Sequence, residues 1–506
     1  MSRGAGSDDR TPILVGAGQL TQRDVAPAEA LEPLAMMEVV ARRAADDAGA
    51  GAALLAQVDS LAVVNVFCWP YANPPRLLAE RLGIHPAEKL YTTVGGSTPQ
   101  WLVNETAARI ASGRVRVALL TGAEAVRTVM QARKARLRLR WSGGGDGPPS
   151  MVGDARDGTS EHEVAQGFML PTQIYPVFEN ALRARAGRDL DRHRGMLGEL
   201  CSRLSAVAAA NPYAWFREAR TADEIATVTP SNRMVAFPYP KLMNAIIEVD
   251  QAAGVLMTSV AEARALGIPR ERWVHLWGTG QAHDRWFVSD RVDYVSSPAI
   301  REAGRQALGA AGIAIDRVDH LDLYSCFPAA VQIGRDMLGI AADDPRPLTV
   351  TGGLPYFGGP GNNYSMHAIT ETMARVRARP GSIGLVTALG WYITKHAVGV
   401  YSAAPKDGPF AREDPAPHQA LLDAAPAPEL ALGPSGAATI ETYTVLYDRD
   451  GAPMRGLVVG RLEDGRRFLA GTPDDPDVLR GLVTREAVGL GGRVTTTDGA
   501  ARFDPA

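Results

Sequence analysis

The sequence predicts an α/β protein made by duplication: two α/β/α halves, a cap inserted between them, and a small antiparallel β-barrel at the C-terminus. Three observations carry this. The stretches PLAMMEVVARRAADDAGA, DSLAVVNVFC, GGSTPQWLVNETAARI and VRVALLTGAEA are matched by SPAIREAGRQALGAAGI, DHLDLYSCF, GGPGNNYSMHAITETMARV and SIGLVTALGW, in the order helix, strand, Gly-Gly turn, helix, strand. Between the two copies the pattern lapses. After residue 402 it gives way to a Pro/Ala-rich run and then to period-two alternation. The repeating unit is far longer than the roughly 20 to 50 residues of a solenoid unit, so it reads as a duplicated domain half. Such halves pair about a pseudo-twofold axis, which lets equivalent loops meet at one site.

Residues 1–10, MSRGAGSDDR, are polar and read as a flexible N-terminus. PILVGAGQ opens the first half, 11–126, as a continuous apolar run suited to a parallel strand buried on both faces. Residues 127–240 read as the cap. They hold RTVMQARKARLRLRW, the Gly/Pro loop SGGGDGPPS, and LDRHRGMLGELCSRLSAVAAA, whose apolar residues recur at helical spacing. The second half, 241–402, contains the strand WVHLWGTGQ from Trp273. Alternating strands and helices imply right-handed crossovers and sheets covered on both faces. Residues 403–436, including PAPHQALLDAAPAPELALGPSG, read as an extended linker. In 437–506, alternation broken by RDG and EDG turns predicts five or six barrel strands.

Composition narrows the function classes. At 506 residues the chain divides into several domains, and 46% hydrophobic with 22% charged content excludes large-scale disorder. A net charge of −3 gives no footprint for nucleic acid. Cys68, Cys201 and Cys326 form no CxxC pair and no disulfide framework, which fits a reducing cytoplasm. No apolar run approaches the roughly 18 residues of a membrane span, and no signal-peptide core opens the chain. Phosphate loops, dinucleotide fingerprints and zinc spacings are missing, so no metal and no bound cofactor is expected.

The candidate chemistry lies at the Gly-Gly turns. Gly95, Gly96, Ser97, Thr98 and Pro99 combine small residues, hydroxyl caps and a first-turn proline. The unpaired amides of such a helix start can hold an oxyanion or a thioester carbonyl.

The duplicated halves, the inserted cap, the turn ahead of ETAARIASG and LLTGAEA after it together resemble the thiolase superfamily over residues 11–402, closest to its sterol-carrier-type branch. The resemblance implies a five-layered thiolase fold and an acyl-CoA substrate with coenzyme A as part of it, and it allows a homodimer without excluding a monomer. In that family a nucleophilic cysteine, two histidines and a second cysteine act on 3-oxoacyl-CoA. Here the corresponding positions hold Gly96, Tyr324 in YSCF, Gly359 in Gly358-Gly359-Pro360, and Ala388 in ALGWY. Thiolysis is therefore not expected. The barrel, through GLVVGRLEDGRRFLAG, is similar to OB-like domains that accompany thiolase-like acyl-CoA proteins, and the fusion resembles that of the thiolase-like proteins of type 1.

Tyr324 in place of the histidine resembles thiolase-like aldolases, and a tuned tyrosine can donate a proton to a carbonyl. His367 and His396 are acid/base candidates because histidine titrates near neutral pH. Ser97 and Cys326 are the remaining nucleophile candidates, and Lys395 is a Schiff-base candidate only if desolvated. Gly96, Ser97, Gly358 and Gly359 are expected to bind the thioester, and Arg136 and Arg138, in an alternating basic segment, the phosphates of coenzyme A. The expected function is aldol or retro-aldol chemistry on acyl-CoA thioesters in a cytoplasmic bacterial protein of lipid metabolism. The alternatives are an inactive acyl-CoA-binding or partner protein and an acetyl-CoA acyltransferase with a divergent site.

Overall fold

The computed structural model describes residues 9–144 and 147–506. The expected flexible N-terminus falls outside the described residues except for Asp9 and Arg10, as do Gly145 and Asp146 of the Gly/Pro loop.

The first half runs β1 (Pro12–Thr21), a helix at Pro33–Asp47, β2 (Ser60–Val63), a helix at Pro74–Leu82, β3 (Glu88–Thr92), a helix at Thr98–Ala111 and β4 (Val117–Ala125). β5 (Ser150–Val152) adds to β3 in parallel. The cap follows with helices Pro171–Arg185 and Leu190–Ala210 and two short strands, β6 (Met234–Ala236) and β7 (Tyr239–Pro240). β8 (Asp250–Ser259) then returns between β1 and β4. This corrects the expected boundary at residue 241: the first half is completed only after the cap. The second half is β9 (Val274–His283), a helix at Pro298–Ala311, β10 (His320–Asp322), helices Pro328–Met337 and Tyr364–Ala378, β11 (Ile383–Gly390) and β12 (Lys395–Ser402).

The sheet order is β10-β11-β12-β9-β1-β8-β4-β2-β3-β5. Read outward from the centre, β1-β8-β4-β2 mirrors β9-β12-β11-β10, so the pseudo-twofold axis passes between β1 and β9, where Ile13 pairs with His275 and Leu14 with Val274. β1 is antiparallel to both neighbours, not parallel as its apolar run suggested. Burial by helices on both faces demands the same continuous apolar residues whatever the neighbours' direction.

One packing device occurs twice. A Cβ on Gly16 or Gly18 of β1 would stand 1.9 Å from the Ala44 carbonyl oxygen or 2.1 Å from that of Val40. On Gly278 or Gly280 of β9 it would stand 2.0 Å from Ala307 O or 1.9 Å from Ala303 O. In each half a Gly-X-Gly pair thus lets the first helix lie directly on the first strand.

Leu102, Val103 and Ile110 of one central helix and Met366, Ile369 and Met373 of the other share a core with Leu14, Leu120 and Val255 from the first half and Val274, Leu276 and Val386 from the second. Outer helices cover the far faces, through Met37, Val40 and Ala44 in one half and Ile300, Ala303 and Ala307 in the other. The result is five layers, each buried Leu, Ile, Val or Met contributing roughly 1.5–3 kcal/mol.

The C-terminal strands β13 (Gly436–Tyr447), β14 (Pro453–Leu462), β15 (Arg467–Gly471), β16 (Gly491–Thr497) and β17 (Ala500–Pro505) form a closed five-stranded barrel. β15 meets β17 in parallel, so the barrel is not wholly antiparallel, because the helix Pro476–Thr484 carries the chain across between β15 and β16. Buried Arg467 joins barrel to body: its Nη2 donates to Glu441 Oε1 at 2.7 Å and its Nη1 to Ser289 O at 3.0 Å.

Two further expectations are corrected. The linker is not extended throughout, since Asp414 caps a helix at Pro415–Asp423 by accepting from Ala416 N at 3.0 Å. The alternation of the basic segment does not mark a regular element: the helix Val126–Lys134 ends before it, and the chain leaves that helix through Arg136 with φ 53°. Among the described residues, no helix is long and apolar enough to cross a membrane.

Candidate active site

The two Gly-Gly turns meet at the centre of the molecule. Gly95 N donates to Asn362 Oδ1 at 2.8 Å, and Ser365 Oγ donates to Gly96 O at 2.9 Å. Asn362 Nδ2 also donates to Asn65 O at 3.0 Å, so one side chain ties the second turn to two loops of the first half. The helix Thr98–Ala111 starts here because Thr98 Oγ1 donates back to Gly95 O at 2.7 Å and Pro99 occupies its first turn. Ser97, at the cap position, makes no capping bond with its side chain.

Tyr324 follows β10, held by Tyr324 N donating to Thr387 Oγ1 at 2.9 Å and by an edge contact with Tyr364 whose ring centroids are 5.5 Å apart. Its hydroxyl points at the first turn. A Cβ on Gly96 would lie 2.1 Å from Tyr324 Oη and 2.6 Å from Leu389 O. Burial pushes the phenol well above its usual range, with Cys326 adding to the shift, so Tyr324 keeps its proton and its hydroxyl can donate a hydrogen bond at neutral pH.

Beside the turn lies a cavity of about 290 Å³ lined by Ser97, Trp101, Asp154, Trp286, Lys395 and His396, with Pro415 and Gln419 of the linker helix at its rim. His396 also lines a void of about 10 Å³ with Tyr324 and Ala388, so it connects the large cavity to the tyrosine. Its Nε2 is 3.3 Å from Asp284 Oδ2. Asp284 in turn faces Arg291 Nη1 at 3.5 Å, accepts from Ala299 N at 3.1 Å and from Ser297 Oγ. Burial alone would raise the Asp284 carboxyl, but His396 and Arg291 outweigh it and hold it below the ordinary range. The carboxylate fixes the imidazole, as a base-orienting group must.

The turn between β11 and β12 bounds the cavity. Trp391 and Ile393 both take φ 56°, a strained conformation for non-glycine residues and an outlier for a β-branched one. Tyr175 Oη donates to Trp391 O at 2.9 Å and Arg291 Nη2 to Tyr392 O at 2.9 Å, which hold this turn in place. It delivers Lys395, whose Nζ donates to Val94 O at 2.6 Å.

The other expected residues lie elsewhere. His367 is fully buried on a central helix, its Nδ1 2.8 Å from Gln19 Oε1 and its Nε2 without a partner; burial lowers it to about 3, and it lines neither cavity. Cys326 is buried, and desolvation raises its thiol to about 12, which disfavours the thiolate a nucleophile needs. Gly358 packs against Gln251, and Gly359 N donates to Ile246 O at 2.8 Å; Asn362 is the residue of that turn that reaches the site. Arg136 and Arg138 are exposed and do not line the cavity. The expected set therefore reduces to Tyr324, His396, Gly96 and Ser97. Lys395, expected as a candidate only if desolvated, stays with them because the strained turn brings it back, and Trp286 and Gln419 join because distant segments fold over the cleft. The linker helix had one readable signal, the Asp414-Pro415 start.

Over 99% of its length this chain aligns with 100% of a monomeric SCP2-thiolase-like protein type 1 from Mycobacterium smegmatis, at 37% identity and a TM-score of 0.86. The chain belongs to the SCP2-thiolase-like proteins of type 1. The model of the thiolase-like protein type 1 additional C-terminal domain matches residues 417–499, the linker helix and most of the barrel. Two more distant structures share the fold. An Ltp2–ChsH2(DUF35) aldolase is 18% identical over 79% of this chain and 100% of its own, with a TM-score of 0.60. An acetyl-CoA acetyltransferase from Syntrophomonas wolfei is 14% identical over 78% of this chain and 99% of its own, with a TM-score of 0.53. No protein of curated function matches the sequence.

Proposed function

We propose that this thiolase-like protein cleaves or forms a carbon–carbon bond in a 3-hydroxyacyl-CoA by retro-aldol or aldol chemistry. The observation that carries the reading is the Tyr324 hydroxyl beside Gly96: a protonated phenol occupies the space where a side chain at position 96 would begin. Where the family keeps a covalent nucleophile, this site offers a hydrogen-bond donor.

In the cleavage direction His396, oriented by Asp284, takes the proton of the 3-hydroxyl. The C2–C3 bond breaks, its electron pair passes to the thioester as an enolate, and C3 leaves as an aldehyde or ketone. Tyr324 and the free amides of the Gly96–Ser97 helix start hold the enolate oxygen, the charge-stabilising term that usually dominates such steps. C2 then takes up a proton from solvent to give the shortened acyl-CoA, and His396 keeps the proton of the 3-hydroxyl.

The experiment is incubation with a 3-hydroxyacyl-CoA panel, product mass spectrometry, and a thermal shift with the same ligands. Expected are an acyl-CoA and a carbonyl product, abolished by Tyr324→Phe while the ligand-induced shift persists. A shift without products in the wild-type protein would instead identify a binding protein, and unchanged turnover in Tyr324→Phe would sink the tyrosine's role.

A further inference from the structure

The chain has five lysines, at 89, 134, 241, 395 and 406, and among them Lys395 lines the cavity. Its stem runs through a gap that two glycines leave open. A Cβ on Gly95 would stand 2.8 Å from Lys395 Nζ and 2.9 Å from Cε, and one on Gly390 3.0 Å from Cε. The Trp286 and Trp391 rings flank the amine, each centroid 5.8 Å from Nζ. Its hydrogen bond goes to a carbonyl, Val94 O at 2.6 Å, and not to a carboxylate. A neutral amine anchored by one N–H keeps its lone pair free to face the cavity.

Around it, Asp154 and Arg156 come from the loop after β5, His283 from β9 and His396 from β12. Arg156 is drawn aside: its Cζ sits 3.6 Å from the Trp286 ring centroid and its Nη2 donates to Asp154 Oδ2 at 2.6 Å. Desolvation lowers the lysine from 10.5 to about 8, with Asp154 opposing and Arg156 assisting. Near neutral pH a useful fraction is therefore the free amine, the form that adds to carbonyl carbon.

We infer that Lys395 is an imine-forming residue that captures the aldehyde or ketone fragment of the carbon–carbon bond reaction; this rests on the function proposed above. Nζ adds to the carbonyl carbon, and an N–H proton moves to the new alkoxide to give a carbinolamine. The hydroxyl leaves as water after taking a proton from His396, and loss of the remaining N–H proton to the same imidazole leaves the neutral imine. One carbonyl and one amine give one imine and one water. In the condensing direction one water hydrolyses the imine and returns the free carbonyl beside the Gly96–Ser97 turn.

The test uses the full-length protein, acetoacetyl-CoA as a ketone probe and sodium cyanoborohydride to fix any imine, followed by peptide mass mapping. A reduced adduct on Lys395 at least tenfold above that on any other lysine is expected, its yield rising with a midpoint near pH 8. Lys395→Arg and Lys395→Met should both lose it while keeping the wild-type thermal midpoint within a few degrees. Equal labelling of all lysines, or no adduct on Lys395 in wild-type protein, overturns the inference. The two readings fail separately. Turnover that Tyr324→Phe abolishes, with no adduct on Lys395 in the wild-type protein, removes the imine alone, whereas labelled Lys395 with turnover indifferent to Tyr324 removes the tyrosine mechanism alone.

Discussion

The Tyr324 hydroxyl fills the position from which a side chain at Gly96 would grow, 2.1 Å from the ideal Cβ, and Leu389 O closes the same space from the other side at 2.6 Å. One of these atoms is backbone, so the clash cannot be relieved by a rotamer change. Gly96→Ala should cost about 1–3 kcal/mol, the range of overpacking in a well-filled interior. Gly195, exposed on the helix Leu190–Ala210 with nothing near its Cβ position, is the control; there alanine should be neutral or stabilising. Denaturant melts of both variants check this. Gly96→Cys, which restores the family's nucleophile in name, should be destabilised likewise and gain no thiolysis.

His367 sets a pH dependence. Its folded value of about 3 lies below the ordinary 6.5 because burial disfavours the imidazolium. Protonation therefore favours the unfolded chain. The stability this group contributes is complete above pH 6.5 and is lost as pH falls toward 3, by roughly 5 kcal/mol at most. His367→Leu leaves Gln19 Oε1 without its partner and should be less stable than wild type at pH 8, yet its melts between pH 6.5 and 4 should show a shallower slope. Parallel slopes would contradict the assignment.

The contrast between His367 and His396 shows how far the sequence reaches. Both follow glycine-marked turns or strand ends, and nothing local separates them. The helix Tyr364–Ala378 lies in the central layer, with Ser365, Met366, His367, Ala368, Ile369 and Thr370 all buried, so it shows no polar stripe to reveal which way His367 faces. The duplication was legible because it repeats along the chain, down to the Gly-X-Gly pairs of both first strands. The cavity was not, because Ser97, Asp154, Trp286, Lys395 and Gln419 come together only through tertiary folding. Strand direction was hidden for a similar reason: burial on both faces writes the same apolar run in either direction.

Edge coverage predicts the assembly state. β3, the outer strand of the first half's core sheet, is paired by the chain's own β5 through Leu90 with Ser150, Tyr91 with Met151 and Thr92 with Val152. A covered strand cannot pair with a second copy, and the three-residue β5 offers too short an edge to replace it. Light scattering at micromolar concentration should give the mass of one chain, the state of the M. smegmatis relative. A concentration-independent dimer would mean that another face associates.

The linker helix Pro415–Asp423 has no buried residue, and Leu421 on it is 73% exposed, so apolar packing does not hold it over the cavity. Polar contacts do. Gln419 Oε1 accepts from His283 N at 2.8 Å and its Nε2 donates to His283 O at 2.9 Å, a two-point attachment to the end of β9. Arg305 Nη2 donating to Glu413 Oε2 at 2.7 Å adds an exposed pair ahead of the helix, and such pairs contribute little. Removing the amide by Gln419→Ala should therefore loosen the helix locally by about 1–2 kcal/mol, and raise amide exchange across residues 413–425 roughly tenfold. The global melt should move little, since none of the helix is core. If the helix screens the cavity, KM for an acyl-CoA substrate rises several-fold while kcat changes less, because Tyr324 and His396, the groups proposed to act on the substrate, are untouched. Unaltered exchange in 413–425 would show that the helix is held by something other than Gln419.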